Sequence, residues 1–209
     1  DVVRSRGLGD VYKRQGEAFI VCDEPLFTAI NDKFNTIKIE HGKDSSEALI
    51  RKYNPSLLIS IERPGKNQDS RYYNMRGIDI TEKCADFDVF FENASCPKIS
   101  IGDGGNEIGM GNVELNLSSL KIKPSTTECD ELLVADVSNW GAHGLIAMLS
   151  TLQNKDYLAA WENDKTLHML SELGAVDGVS GKRTQTEDGF TSKETKIVIN
   201  NLRKLSGFR

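Results

Sequence analysis

The sequence is poor in the residues that build special architectures. Its 209 residues include 5 Pro, 4 Cys and 3 His. Cys22, Cys84, Cys96 and Cys129 are scattered and never spaced C-x-x-C, which excludes a zinc or redox-dithiol signature. They read as reduced, packed thiols of a chain inside the cell, cytoplasmic or, in a eukaryote, in the mitochondrial matrix. His41, His143 and His168 stand apart with no metal or triad spacing and are predicted to be surface residues. No apolar run approaches the roughly 18 residues of a membrane span. Positive charge is not in excess. With 26 Lys and Arg against 31 Asp and Glu, the net charge is −5. Nucleic acid and anionic membrane surfaces are therefore excluded as general partners. No G-K-[ST] follows a glycine loop and no complete G-x-G-x-x-G is present, so no nucleotide cofactor is predicted. What remains is ordinary: 38% hydrophobic and 27% charged residues, enough for one soluble α/β domain.

The opening segment DVVRSRGLGDVYKRQ (residues 1–15) is basic and without periodicity. It resembles a translated sequencing-adapter remnant more than evolved sequence, and is predicted to be a disordered, non-native leader. Residues 16–209 are predicted to form one three-layer α/β/α domain with a mostly parallel sheet. Strands are expected at Ala18–Cys22, Thr36–Glu40, Leu57–Ile61, Lys98–Ile101 and Glu131–Val137, where short β-rich runs alternate with helical patterns. Helices are expected after Pro25 (burying Phe27, Ile30 and Phe34), after an Asp44/Glu47 cap, and from about Thr81 through Cys84, Phe87 and Phe91. Others should bury Leu145, Met148, Leu149 and Leu152, then Leu167, Leu170 and Leu173 up to a stop at Gly174. A last one should start at a Thr191–Glu194 capping box.

In parallel sheets, ligands bind beyond the carboxyl ends of the strands. Four strands here run into polar clusters: Asp23-Glu24, Glu62-Arg63, Gly102–Glu107 and Ser138–Gly141. If the strands are parallel, these clusters share one edge. The loop IGDGGNEIGMGN is the most informative. Gly104 and Gly105 offer bare N–H groups for an anion. Asp103, Asn106 and Glu107 offer hard oxygens suited to Mg²⁺ or Mn²⁺. Asp103 and Glu107, four positions apart, should meet on one side of the turn and either share a divalent cation or hold one proton between them. The long loop 62–77 supplies Arg63 and Arg76, either of which can clamp a carboxylate. Ser138 or Asn139 is expected to cap a helix, Trp140 is a candidate pocket wall, and Asp177 belongs to a mainly structural turn.

Taken together, SIERPG, YYNMRGIDIT, IGDGGNEIGMGN, VSNWGAHGLIA and GAVDGVSGKR resemble, in order from about Ala18 to Leu205, the C-terminal domain of the D-glutamate cyclase family. The resemblance implies a lyase that closes D-glutamate, a small amino-acid substrate, to 5-oxo-D-proline and water. It also implies that the family's first βα unit lies upstream of this chain, which alone should be poorly active. Glu107 or Glu62 would accept the amine proton. Arg63, Arg76, the loop N–H groups or a metal held by Asp103 and Glu107 would mask the γ-carboxylate charge. Asn74 and Arg76 would anchor the α-carboxylate, with Gly104, Gly105, Asn106, Asn139 and Trp140 lining the site. Two other readings stand beside it: a metal-dependent hydrolase of a small phosphorylated metabolite, and a non-catalytic amino-acid-binding module.

Overall fold

The computed structural model describes residues 2–5, 16–40, 46–117 and 119–208. The chain divides after Val134 into two compact units where the sequence suggests one domain.

The first unit is built on a six-stranded sheet in the order β3-β2-β1-β4-β5-β6. Its strands are β1 (Val2–Ser5), β2 (Glu17–Cys22), β3 (Thr36–Lys38), β4 (Pro55–Ile61), β5 (Lys98–Gly102) and β6 (Glu131–Val134). β2, β3, β4, β5 and β6 all run one way, because β2 pairs parallel with β3, β4 with β5, and β5 with β6. β1 runs against both its neighbours. The mostly parallel α/β prediction therefore holds. The strand at Val2–Ser5, within the segment expected to be disordered, was not anticipated. The physical reason is backbone pairing: facing edges of β2 and β4 offer N–H and C=O groups to any extended segment, whatever its side chains. Residues 6–15 lie outside the described residues, as does the Asp44 cap.

The helices of this unit are short: α1 (Leu26–Ile30), α2 (Ser46–Tyr53), α3 (Asp88–Asn93) and α4 (Glu114–Leu117). α1 buries Ile30 but stops before Phe34, which is 49% exposed. Val21, Ile37 and Leu58 from the strands and Ile39 just past β3 meet Phe87, Phe90, Phe91 and Ala94 in the core, with Ile108 from the glycine loop. The helix expected from Thr81 through Phe91 is broken. A 3₁₀ turn at Thr81–Lys83 gives way at Cys84 to extended backbone, and α3 begins at Asp88. Long-range bonds hold the intervening residues out of helix. Ala85 N–H donates to Asp23 at 3.2 Å, and Phe87 lies under the Arg63 guanidinium at 3.9 Å. Asp88, fully buried, accepts from the Lys66 N–H at 2.9 Å, the Tyr72 hydroxyl at 2.7 Å and the Thr127 hydroxyl.

The second unit holds α5 (Ser138–Gln153), α6 (Asn163–Glu172), a two-strand ribbon β7 (Thr186–Glu187) and β8 (Phe190–Thr191), and α7 (Ser192–Leu205). The Thr191–Glu194 capping box forms as expected, and Gly174 follows α6 at φ +100. The buried face of α5 differs from the apolar stripe in the sequence. Gly141, His143, Ala147 and Ser150 are inside, while Met148 and Leu152 are 60% and 76% exposed. His143, expected at the surface, is 5% exposed beside the Trp161 ring. Ala147, Leu158 and Ile199 form the small core of this unit.

Candidate active site

Strand register places the first two acidic residues. Ile61 of β4 lies opposite Ile101 of β5, so the chain leaves both strands at the same rim, into Glu62 and Asp103. The Glu62 N–H still donates to the Ile101 carbonyl at 3.0 Å, while Glu62 itself turns into left-handed backbone at φ 58. Such a conformation is uncommon for a residue with a side chain and is held by its surroundings. Here the surroundings are a second pairing. Beyond Glu62 the chain runs against the glycine loop, with Gly65 N–H on the Asn106 carbonyl and Ile108 N–H on the Arg63 carbonyl, each at 2.8 Å. That zipper returns Glu107 to the rim. Carboxylate oxygens of Glu62, Asp103 and Glu107 all lie within 4.8 Å of one another. The predicted meeting of Asp103 and Glu107 is realised by a Gly-Gly turn, and Glu62 joins them.

The loop N–H groups do not wait for a ligand. Gly104 N–H donates to Glu107 Oε1 at 2.8 Å and Gly105 N–H to Oε2 at 2.7 Å. The anion-binding nest foreseen at Gly104 and Gly105 is filled by the protein's own carboxylate. Glu107 is 3% exposed and therefore also fixes the loop. Gly105 takes φ +101, which a side chain would strain. At Gly104 the constraint is space. An added Cβ would come within 2.5 Å of Met75 Sδ, 3.0 Å of Glu107 Oε1 and 3.1 Å of Asn106 Oδ1.

Met75 brings the Asn74–Gly77 turn over this loop. Asn74 Oδ1 accepts the N–H groups of Arg76 and Ile78, each at 3.0 Å, so Asn74 shapes the turn that carries exposed Arg76. Asn106 joins turn and loop through Nδ2, which donates to the Tyr73 carbonyl at 2.8 Å. Arg63 is committed elsewhere. Both terminal nitrogens bond to Asp23, at 3.1 and 2.6 Å, which makes it a clamp between strand ends.

Asn139 and Trp140 belong to the second unit, where the expected cap is not formed by Ser138 or Asn139: both lie inside α5, whose N-cap position is Val137. Asn139 Nδ2 donates to Glu187 Oε2 at 2.9 Å, and Trp140 Nε1 to the Thr195 hydroxyl at 3.0 Å. Glu187 Oε1 also accepts from Asn163 at 2.6 Å and Thr195 at 2.7 Å. Glu187 thus organises a buried polar knot that the sequence did not flag, since its three partners, Asn139, Asn163 and Thr195, come from separate stretches. Asp177 is a second such knot. Burial pushes its carboxyl up, but bonds from Ser180, Gly189 and Thr186 outweigh this and hold it well below the usual carboxylate range. A surface depression of about 510 Å³, lined by Lys66, Asn67, Thr126 and Thr127 among others, contains none of the rim carboxylates. Lys66 there is paired with Asp86 at 2.6 Å, which leaves the rim as the richer chemistry.

A family model described as D-glutamate cyclase-like, C-terminal, matches residues 12–203. The human protein D-glutamate cyclase, mitochondrial, is 36% identical over 103 residues, covering 46% of this chain and 17% of the human protein. The chain spans well under a fifth of that relative's length. Among the described residues, no helix is long and apolar enough to cross a membrane.

Proposed function

Since the chain belongs to the D-glutamate cyclase-like family, we propose that it carries the site at which D-glutamate closes to 5-oxo-D-proline and water. The observation that carries this reading is the meeting of three carboxylates at one rim of a parallel sheet, beneath a turn bearing Asn74 and Arg76.

The reaction forms a bond between the α-nitrogen and the γ-carboxyl carbon and breaks one C–O bond of that carboxyl. At neutral pH the amine must first lose a proton, and the departing oxygen must gain protons to leave as water. Glu62 is exposed and Asp103 half-buried, which suits them to receive that proton and return it. Glu107 receives two N–H bonds and suits a holding role better than a shuttling one. In this reading Arg76, on the overlying turn, anchors the α-carboxylate. Holding the substrate folded, with amine against carboxyl, supplies by orientation up to about 7–11 kcal/mol of the barrier. Filling of the Gly104–Gly105 nest by Glu107 removes those N–H groups from phosphate binding, which favours this reading over a phosphate-ester hydrolase. As in the human relative's name, a mitochondrial setting is the expected one for a eukaryotic source.

The test is incubation of the chain with D-glutamate and chiral chromatography of the product. The reading expects 5-oxo-D-proline, at a rate cut at least tenfold by Glu62→Gln or Asp103→Asn. Thermal stabilisation by D-glutamate without product would instead mark an amino-acid-binding module. Stabilisation by small phosphate esters alone would favour the hydrolase.

A further inference from the structure

We infer that the outward face of the second half of α5 is where two copies of this chain meet, as a weak two-fold dimer. α5 runs Ser138–Gln153 and holds no Asp, Glu, Lys or Arg in its 16 residues. A helix that is apolar on more than one side is normally covered on more than one side. One side is covered within the second unit, where Ala147 is buried with Leu158 and Ile199, and Ile146 and Leu202 pack alongside. The other is open. Leu145, Met148, Leu149 and Leu152 follow the i, i+3, i+4, i+7 spacing of one stripe, within an arc of about 100°. Leu145 is half-buried, and the other three are 60%, 42% and 76% exposed.

The stripe is also presented ready-made. Asn154 ends the helix in left-handed backbone at φ 48, and the Tyr157 N–H donates back to Ser150 Oγ at 3.2 Å. From the other side, the Ser206 hydroxyl donates to the Ala147 carbonyl at 3.2 Å and ties the end of α7 to the middle of α5. A surface already ordered spends little conformational entropy on association.

Charge decides the occupant. Near a two-fold axis each group meets its own kind, so any charge there faces its like. α5 is free of that conflict. A lipid surface fits less well, because helices that lie on membranes carry Lys and Arg on their polar face. A strongly charged partner protein would find nothing on α5 to pair with. The outward Ile197 of α7, 61% exposed, stands one turn from Lys193 and Glu194 and forms no stripe. Two antiparallel α5 helices about 8–10 Å apart, with the axis between Met148 and Leu149, set the Leu145 end of each copy against the Leu152 end of the other. Four side chains per copy make a contact well below the roughly 20–30 residues a side of a standard interface, so the dimer is expected to be of roughly micromolar affinity or weaker.

Sedimentation velocity on the whole chain, over roughly 1–500 µM, should show mass rising from one copy to two. No substrate is needed, so the outcome is separate from that of the cyclisation reading. Met148→Glu and Leu152→Glu, at exposed positions, should keep the wild-type far-UV dichroism and each weaken the dimer at least tenfold, about 1.4 kcal/mol. Ile197→Glu should leave it unchanged. Met148→Lys alone should also be monomeric, yet an equal mixture of Met148→Glu and Met148→Lys should recover dimer, since the axis then brings opposite charges together. A wild-type chain that stays monomeric throughout overturns the inference, and its flotation with phosphatidylcholine vesicles, lost in Leu152→Glu, would make lipid the occupant. A dimer that survives both glutamate substitutions, or a mixture that stays monomeric, overturns it equally.

Discussion

Replacing Glu107 with glutamine tests how the glycine loop is held. In the native loop, Gly104 and Gly105 each donate an N–H to one carboxylate oxygen, at 2.8 and 2.7 Å, in a place 3% exposed. Glutamine keeps the shape but turns one acceptor into an NH₂ group facing an N–H donor. One charge-assisted bond is lost, worth about 1.5–3 kcal/mol, and its donor is left buried and unpaired. The surviving bond weakens to neutral strength. The sum is about 2–4 kcal/mol, which for a chain of this length lowers the unfolding temperature by about 4–16 °C. The two tryptophans, Trp140 and Trp161, both belong to the second unit, so their fluorescence is the wrong probe. Far-UV dichroism and hydrogen exchange at the Gly104 and Gly105 amides read the loop itself. Glu107→Asp, which keeps the charge on a shorter arm, should fall between wild type and glutamine. If the glutamine protein melts within a degree of wild type and both glycine amides stay protected, the carboxylate does not hold the loop.

Burial, with Asp88 and Asp86 beside it, pushes the Tyr72 hydroxyl far above its ordinary value. The stability this represents is present in full below about pH 10 and is lost as pH rises from there toward the folded value, because the unfolded chain then gives up the proton first. Alkaline ultraviolet titration should therefore show one of the 5 tyrosines ionising only on unfolding, and Tyr72→Phe should abolish that step. Burial pushes the His143 imidazole down, with Glu187 opposing, so its contribution is present above about pH 6.5 and lost as pH falls below it. His143→Phe should flatten the acid limb of stability between about pH 6.5 and 5; an unchanged limb assigns it to other groups. Deleting residues 1–15 removes β1 from between β2 and β4 and should lower the melting temperature of the first unit. An unchanged melt would show that this strand adds nothing.

Short β-rich runs bounded by turn residues made β2, β4, β5 and β6 legible from the sequence. The Thr191 box and the Gly174 stop were legible because caps are local chemistry. Breaks in the sequence reading fall where distant partners decide. Cys84–Phe87 has helical spacing, yet contacts with Asp23 and Arg63, about sixty and twenty residues away in the chain, hold it out of regular helix. The α5 stripe of leucines looked like a core face, while the packed face is made of small residues and a histidine. At the rim, Asp103, Asn106 and Glu107 were visible as a motif, but Glu107 filling its own glycine nest was not. Nor was Glu62 as the third member, since only register and the loop zipper bring it there.

The Arg63–Asp23 bond has a mechanical side. Asp23 follows β2 and Arg63 follows β4, so the bond reaches over the end of β1, a span of about 9.6 Å or two strand spacings. The Asp23 carboxylate is also gripped by the Ala85 N–H, so the anchor at that end is stiff. Pull β1 out lengthwise and the two outer leaves of the sheet stay tethered along one rim, like a frame that keeps its shape when a slat is drawn. An added peptide strand would then find its two edges held at a fixed gap, and insertion would be a local exchange rather than a refolding.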